Sequence, residues 1–214
     1  MLNGVTTKTT ERIPYGAGVY AKGIPYKEDT PPALSEIMAG IMGATQEGGT
    51  FTVENEFFAP ELDDVQVELE ELDNLVKQKA RMEVSFAEMT AERLAHMMIA
   101  KADTETNEDW DIVTTSEKIE PGHYIEGLCF YGKMINGMPF IILAKKALCT
   151  SGFTMNNQSK TNAVMKGTFD FRGNIAYSTA KLPFVIFIRK TSGWETVTPA
   201  EAAAAAQTET EQTA

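Results

Sequence analysis

The groups in this chain most able to do chemistry are its carboxylates, and they are crowded. Glu54, Glu56, Glu61, Asp63, Asp64, Glu68, Glu70, Glu71 and Asp73 follow one another with no Lys or Arg among them. Two carboxylates can share general acid–base work, but only when set apart in a shaped, water-poor pocket. A continuous run reads instead as a solvated face. The histidines are His96, inside a helical pattern, and His123, just after Pro121-Gly122. Neither has a second His or Cys at metal-ligand spacing, so each reads as structural. Cys129 and Cys149 lie in apolar, strand-like runs and read as two reduced, buried thiols. Tyr15, Tyr20 and Tyr26 stand among glycines, where they could stack on sugars or anchor a packed arm; the anchor is the simpler role. No nucleophile-elbow, phosphate-loop, dinucleotide or C-x-x-C pattern occurs. These readings predict a protein that is not an enzyme and takes no cofactor and no metal.

The elements around these groups alternate with period two. From Thr50 to Phe57, Thr50, Thr52, Glu54 and Glu56 point one way and Phe51, Val53 and Phe57 the other. Gly48-Gly49 opens this strand as a turn, and its wet face reads as negative. Residues 58–75 follow as an acidic excursion in which Val65, Val67 and Leu69 alternate with polar residues. That pattern suggests an exposed hairpin arm or a charge-protected edge. A strand over 79–88 leads into a helix over about 91–100, with Thr90 placed to cap it, Glu92 in its first turn and Lys101 at its end. Residues 102–109 read as an acidic loop and Trp110 to Thr114 as a short strand. Beyond them the chain reads as all β. Asn136-Gly137 predicts a tight hairpin between 124–135 and 138–146. Ala163 to Phe171 alternates, with Met165, Phe169 and Phe171 opposite Lys166, Thr168 and Asp170. Leu182 to Arg189 is apolar on both faces and suits a central or interface strand. Before the sheet, 1–33 is a loop-rich arm, and Leu34, Ile37, Met38 and Ile41 suit a short helix weakened by Gly40 and Gly43. After it, Thr198-Pro199-Ala200-Glu201 has capping-box spacing and an alanine run follows; the reading is a frayed stub, then disorder from about 207.

The 214 residues suit one domain with embellishments. The predicted parts are an N-terminal arm and loop over 1–48, a β-sandwich over 49–190 and a flexible tail over 191–214. No apolar run is long enough to span a bilayer, and no secretory signal follows Met1. The net charge of −11 argues against a surface that grips phosphate. Its distribution is uneven. Residues 1–132 carry 10 basic and 25 acidic side chains, a balance of −15; residues 133–190 carry 9 basic side chains and one acid, a balance of +8. Such a split offers copies of the chain a way to meet one another.

Several segments together follow a known pattern: the arm NGVTTKTTERIPYGAGVYAKG, the strand start GATQEGGTFT, the strand-to-helix MEVSFAEMTAERL, the hairpin HYIEGLCFYGKMINGMPFIILAKKALCTSGFTM and the strand GTFDFRG. With these the chain resembles the major tail (tail tube) proteins of long-tailed, non-contractile bacteriophages of Gram-positive hosts, over about residues 3–190. The resemblance implies a mainly β fold, a sandwich of two antiparallel sheets with one flanking helix. It implies rings, of six copies, stacked into a tube, with strands of neighbouring subunits continuing one sheet around the lumen. The N-terminal arm and the 58–75 loop would bridge to adjacent subunits or rings. The acidic loop lacks the lysine that relatives often place there, so no individual contact carries over. Implied partners are other copies of the chain and the tail tip, tape measure and tail terminator proteins, with genomic DNA passing through unbound. The implied location is the virion, after assembly in the host cytoplasm. Thr50, Thr52, Glu54 and Glu56 are then candidates to face the lumen, where a negative wall would let DNA slide. Glu61, Asp63, Asp64, Glu68, Glu70, Glu71 and Asp73 are candidates for the inter-subunit loop. Two alternatives stand beside this reading: the tube of a contractile tail or injection device, and a β-sandwich carbohydrate-binding module.

Overall fold

The computed structural model describes residues 9, 12–60, 70–158, 161–176 and 181–190. Along the chain run β1 (Pro14–Ala21), α1 (Leu34–Ala39), β2 (Thr45–Phe58), β3 (Asn74–Phe86), α2 (Ala91–Met98), β4 (Ala100–Asp103), β5 (Ile112–Thr115), β6 (Ile125–Met134), β7 (Pro139–Cys149), β8 (Thr154–Gln158), β9 (Thr161–Phe171) and β10 (Phe184–Ile188). The fold is mainly β, as the period-two alternation demands.

Eight strands form one antiparallel sheet in the order β1-β6-β7-β9-β3-β2, with β10 added to β7 and β8 to β9; β4 and β5 make a separate two-stranded sheet. The large sheet curls into two facing layers that stay joined where β7 pairs with β9 through Ala147–Cys149. Curling is visible in contacts between strands distant in the sheet order. Phe51 of β2 lies 5.9 Å from Phe184 of β10, ring centre to ring centre. At the other end Tyr20 of β1 presses on Gly49 of β2, where a Cβ would collide with the tyrosine hydroxyl. Glycine is required there by proximity.

The space between the layers is the main core. Met82, Phe86, Met97, Leu128, Ile142, Met165 and Phe169 are buried together in it. Phe86 and Phe169 meet edge-on at 6.4 Å, a favoured arrangement for aromatic pairs. Strands β6 and β7 are covered on their other face as well. Ala21, Ile24, Ile37, Cys129, Tyr131, Ile141 and Leu143 form a second core there, with Leu34, Val185 and Phe187 packed against it. Cys129 belongs to one core and Cys149 to the other, and both are free thiols. Burial pushes the Cys129 thiol up to about 12 and raises that of Cys149 too.

Local signals place the helices. Thr90 Oγ1 accepts the Arg93 backbone N–H at 3.4 Å, and Ile99 ends α2 in the left-handed conformation at φ 53. That stops the helix before residue 100. α1 ends at Gly40, shorter than its apolar spacing predicts. Asn136-Gly137 turns β6 into β7, as the dipeptide predicts.

Four expectations change. Gly48-Gly49 does not open a strand: β2 already begins at Thr45, and Glu47 (φ 67) and Gly48 (φ 73) form a bulge where the register shifts between Thr45 and Gly49. The acidic segment 102–109 is not wholly loop, because Ala100–Asp103 pairs with Ile112–Thr115. Trp110 accordingly lies in the connecting loop and outside any strand. Of the two roles read for the 182–189 strand, central does not hold: among the described residues β10 pairs with β7 alone, and its exposed Ile186 and Ile188 leave the interface role standing. The alternation at Val65, Val67 and Leu69, the acids Glu61, Asp63, Asp64 and Glu68, and the Thr198–Glu201 spacing lie outside the described residues.

Candidate assembly surface

Register decides which side chains share a face. Phe51 stands opposite Met82, which stands opposite Phe169, and all three point into the core. Thr50, Thr52, Glu54 and Glu56 therefore share the other, outward face. Thr50, Glu54 and Glu56 are exposed and Thr52 is half-buried. The structure thus brings these four together as the alternation predicts.

The face is wet, but it is not negative. Thr50 faces Glu83 and Thr168; Thr52 faces Arg81 and Asp170; Glu54 faces Lys79 and Glu56 faces Lys77. Lys166 sits on the same face and bonds Glu47 at 2.8 Å. Arg81 makes an ion pair with Glu54. The acids of β2 are matched by cations one strand away. The alternation Lys77, Lys79, Arg81 carried that signal, but it appears as a match only when β3 is laid beside β2.

The same pairing weakens the charge split seen along the chain. Lys146 bonds Glu126 at 2.9 Å, Lys166 bonds Glu47, and Lys181 bonds Glu28 at 3.2 Å. Each joins the basic segment to the acidic one inside a single molecule.

Beyond Arg81 the sheet thins. β9 pairs with β3 only over Arg81–Phe86. From Val53 and Ala80 outward, β2 and β3 continue as a pair without another strand, through Glu56 opposite Lys77 to Phe58 opposite Asn74. Phe57 is 63% exposed, Phe58 60%, Leu75 54% and Val76 62%. Two-stranded ribbons of this kind are marginal alone. The outer edge of β2 has no strand partner along its 14 residues among those described. Glu70 and Asp73, at the far end of the ribbon, are exposed. Glu71 lies in a short 3-10 turn, Glu70–Leu72; its side chain, and residues 61–69 of the acidic loop, lie outside the described residues.

The two histidines lie close together, His96 beside Lys22, Glu92 and His123. His123 is buried; its Nδ1 accepts the Glu120 backbone N–H at 2.8 Å and its Nε2 meets Ser116 Oγ at 3.2 Å. His96 is held below its ordinary range, first by burial and then by the charge of Lys22. Tyr20 is a core residue pushed up to about 12 by burial. Tyr26 packs against the second core and donates to Glu28 at 3.2 Å. Tyr15 is exposed on the outer part of β1. Tyr15 and Tyr20 line one hollow with Phe51, Phe130 and Phe140, and Tyr26 is not part of it.

No protein-family model matches the chain, and no curated protein matches it. Among solved structures, a chain from the virion of a native gene transfer agent particle aligns at a TM-score of 0.39 and 8% identity. The alignment covers 73% of this chain and 92% of that one. Similarity at that level carries no argument about either fold or role.

Proposed function

We propose that this chain is a structural virion protein whose copies assemble, through their strand edges, into stacked rings that form a phage tail tube. The observation that carries the reading is the edge of β2, unpartnered among the described residues and continued by a ribbon on which Phe57, Phe58, Leu75 and Val76 are exposed. A long open edge is a template for another strand, and strand addition supplies main-chain hydrogen bonds with side-chain pockets for register. Each of those apolar side chains contributes about 1.5–3 kcal/mol when covered. A ring satisfies every edge at once.

The face of Thr50, Thr52, Glu54 and Glu56 suits a lumen for a reason different from net negative charge. A conduit must not accumulate phosphate contacts, because each releases counterions and retains the polyanion. Arg81 and Lys166 are held by Glu54 and Glu47, and Lys77 and Lys79 stand in register with Glu56 and Glu54, so carboxylates beside the cations of this face oppose a phosphate. Six copies per ring, a non-contractile tail, and tip, tape measure and terminator partners belong to this proposal through the resemblance given above. So do the acidic loop as a bridge between subunits, the absence of catalysis, and assembly in the host cytoplasm.

For the carbohydrate-binding alternative, the hollow lined by Tyr15, Tyr20, Phe51, Phe130 and Phe140 has aromatic walls but no charged or amide side chain in its lining to fix a sugar. The hydroxyl-rich groove lined by Thr50, Ser85, Ser151, Thr154 and Thr168 has no aromatic residue in its wall.

Negative-stain microscopy of the purified chain across a concentration series tests the reading. Rings or tubes are expected above a threshold. A protein that stays monomeric throughout, with its sheet edges capped by its own chain, overturns it.

A further inference from the structure

The β4–β5 loop presents a tryptophan. Asp103 accepts the backbone N–H groups of Glu105 at 3.1 Å and Thr106 at 3.0 Å. Asn107 Oδ1 accepts those of Asp109 at 2.9 Å and Trp110 at 3.1 Å. The loop is therefore ordered around its own side chains, yet Trp110 remains 73% exposed. Asp109 and Asp111 flank it and are exposed as well. Neither has an ion-pair partner among the described residues. A large aromatic held out in water between two acids is suited to an interface, where tryptophan is enriched among the residues that dominate binding.

A fitting cavity exists elsewhere on the chain. Where β9 ends and the β2–β3 ribbon continues alone, a concavity of about 350 Å³ opens. Its rim carries Lys77, Lys79, Arg81 and Arg172 together with Thr52 and Glu54 from the margin of the candidate lumen face, and its apolar wall includes Phe171 and Leu182. Glu54 takes Arg81, and Asp170 takes Arg172 at 3.4 Å. Lys77 and Lys79 make no ion pair among the described residues. The volume is at the low end of pockets that hold a ligand-sized group. Cations at the rim suit an indole face and the two aspartates beside it.

We propose that Trp110, with Asp109 and Asp111, inserts into this cavity of a second copy. The inference rests on the self-assembly reading above and gives it a direction. Plug and socket are different parts of the surface, so the contact is heterologous. Such a contact propagates head to tail into a ring or an open stack unless two copies exchange plugs reciprocally, and the assembly reading above selects the first. The matched charges set register and the tryptophan supplies the buried area.

The test uses two variants of the full chain. Trp110→Ala removes the plug and leaves the socket; Lys77→Glu with Lys79→Glu damages the socket and leaves the plug. All of these side chains are exposed, and an unchanged circular dichroism spectrum and melting midpoint establish that each variant is folded. Each alone is expected to raise the threshold for assembly by at least about tenfold. Mixed in equal amounts, the two are expected to form the plug contact only between unlike variants, in pairs that this contact cannot extend, since one plug and one socket survive per pair. Adding Asp109→Lys and Asp111→Lys to the socket variant is expected to restore assembly by reversing both partners. If the wild type assembles and Trp110→Ala assembles at the same threshold, or the mixture yields no pairs, the plug is overturned and the assembly reading survives. If the wild type never assembles, both fall.

Discussion

One sheet contains two regions that share an alternating pattern and have opposite fates. In β6 and β7 both faces are covered, one by the main core and one by α1, the arm and β10, and the cations at their margin find carboxylates within the molecule. In the outer halves of β2 and β3, among the described residues, neither face is covered and both strand edges are open. Burial in the first region reaches 0% exposure at Cys129 and Leu143. The contrast teaches that alternation specifies a strand with two kinds of face without specifying what will cover them. Where the chain supplies no cover, another molecule is the natural one.

The contrast can be broken first at its buried end. Replacing Phe169 with Ala removes a fully buried ring that packs on Phe86. It should cost about 3–5 kcal/mol, read as a lowered denaturant midpoint. A loss below about 1 kcal/mol would mean that the layers are not closely packed there. The open end should behave in reverse. Phe57→Ser with Leu75→Ser should leave monomer stability within about 0.5 kcal/mol of wild type while abolishing tubes in the microscope. A large stability loss would show that the ribbon is covered in the monomer after all.

The smallest effect concerns the helix between the two regions. His96 faces Lys22, Glu92 and His123. Its folded pKa lies below the ordinary 6.5 because burial and Lys22 disfavour the cation. The unfolded chain therefore takes up the proton first, and stability falls as pH drops from 6.5 toward the folded value. Glu92 acts lower: with its pKa depressed by the hydrogen bond from Lys22, its contribution is lost only below the ordinary 4.5. Thermal melts between pH 7 and 5 should show the midpoint decline, and His96→Gln should flatten it. A slope unchanged in His96→Gln would assign the effect to another group.

Much of the fold could be read from the residues. The Thr50–Phe57 alternation, the Thr90 cap and the Asn136-Gly137 turn each rest on interactions between near neighbours, so the sequence carries them whole. The candidate face was legible to the same extent: period two places Thr50, Thr52, Glu54 and Glu56 together whatever lies beside them. The charge of that face was not, because Lys77, Lys79 and Arg81 reach it only through antiparallel pairing with β2. The edge position of β10 was hidden for a similar reason: an apolar run does not reveal how many strands flank it. The cavity beside Phe171 depends on where β9 stops relative to β3, a fact of register.

The sequence by itself determined strand periodicity, caps, turns and the apolar side of each element, since these follow from backbone geometry and side chains a few residues apart. Tertiary structure alone decided which acids are neutralised, which faces remain bare and where plug and socket stand. Those properties depend on which distant segments become neighbours, and only the curled sheet brings them together.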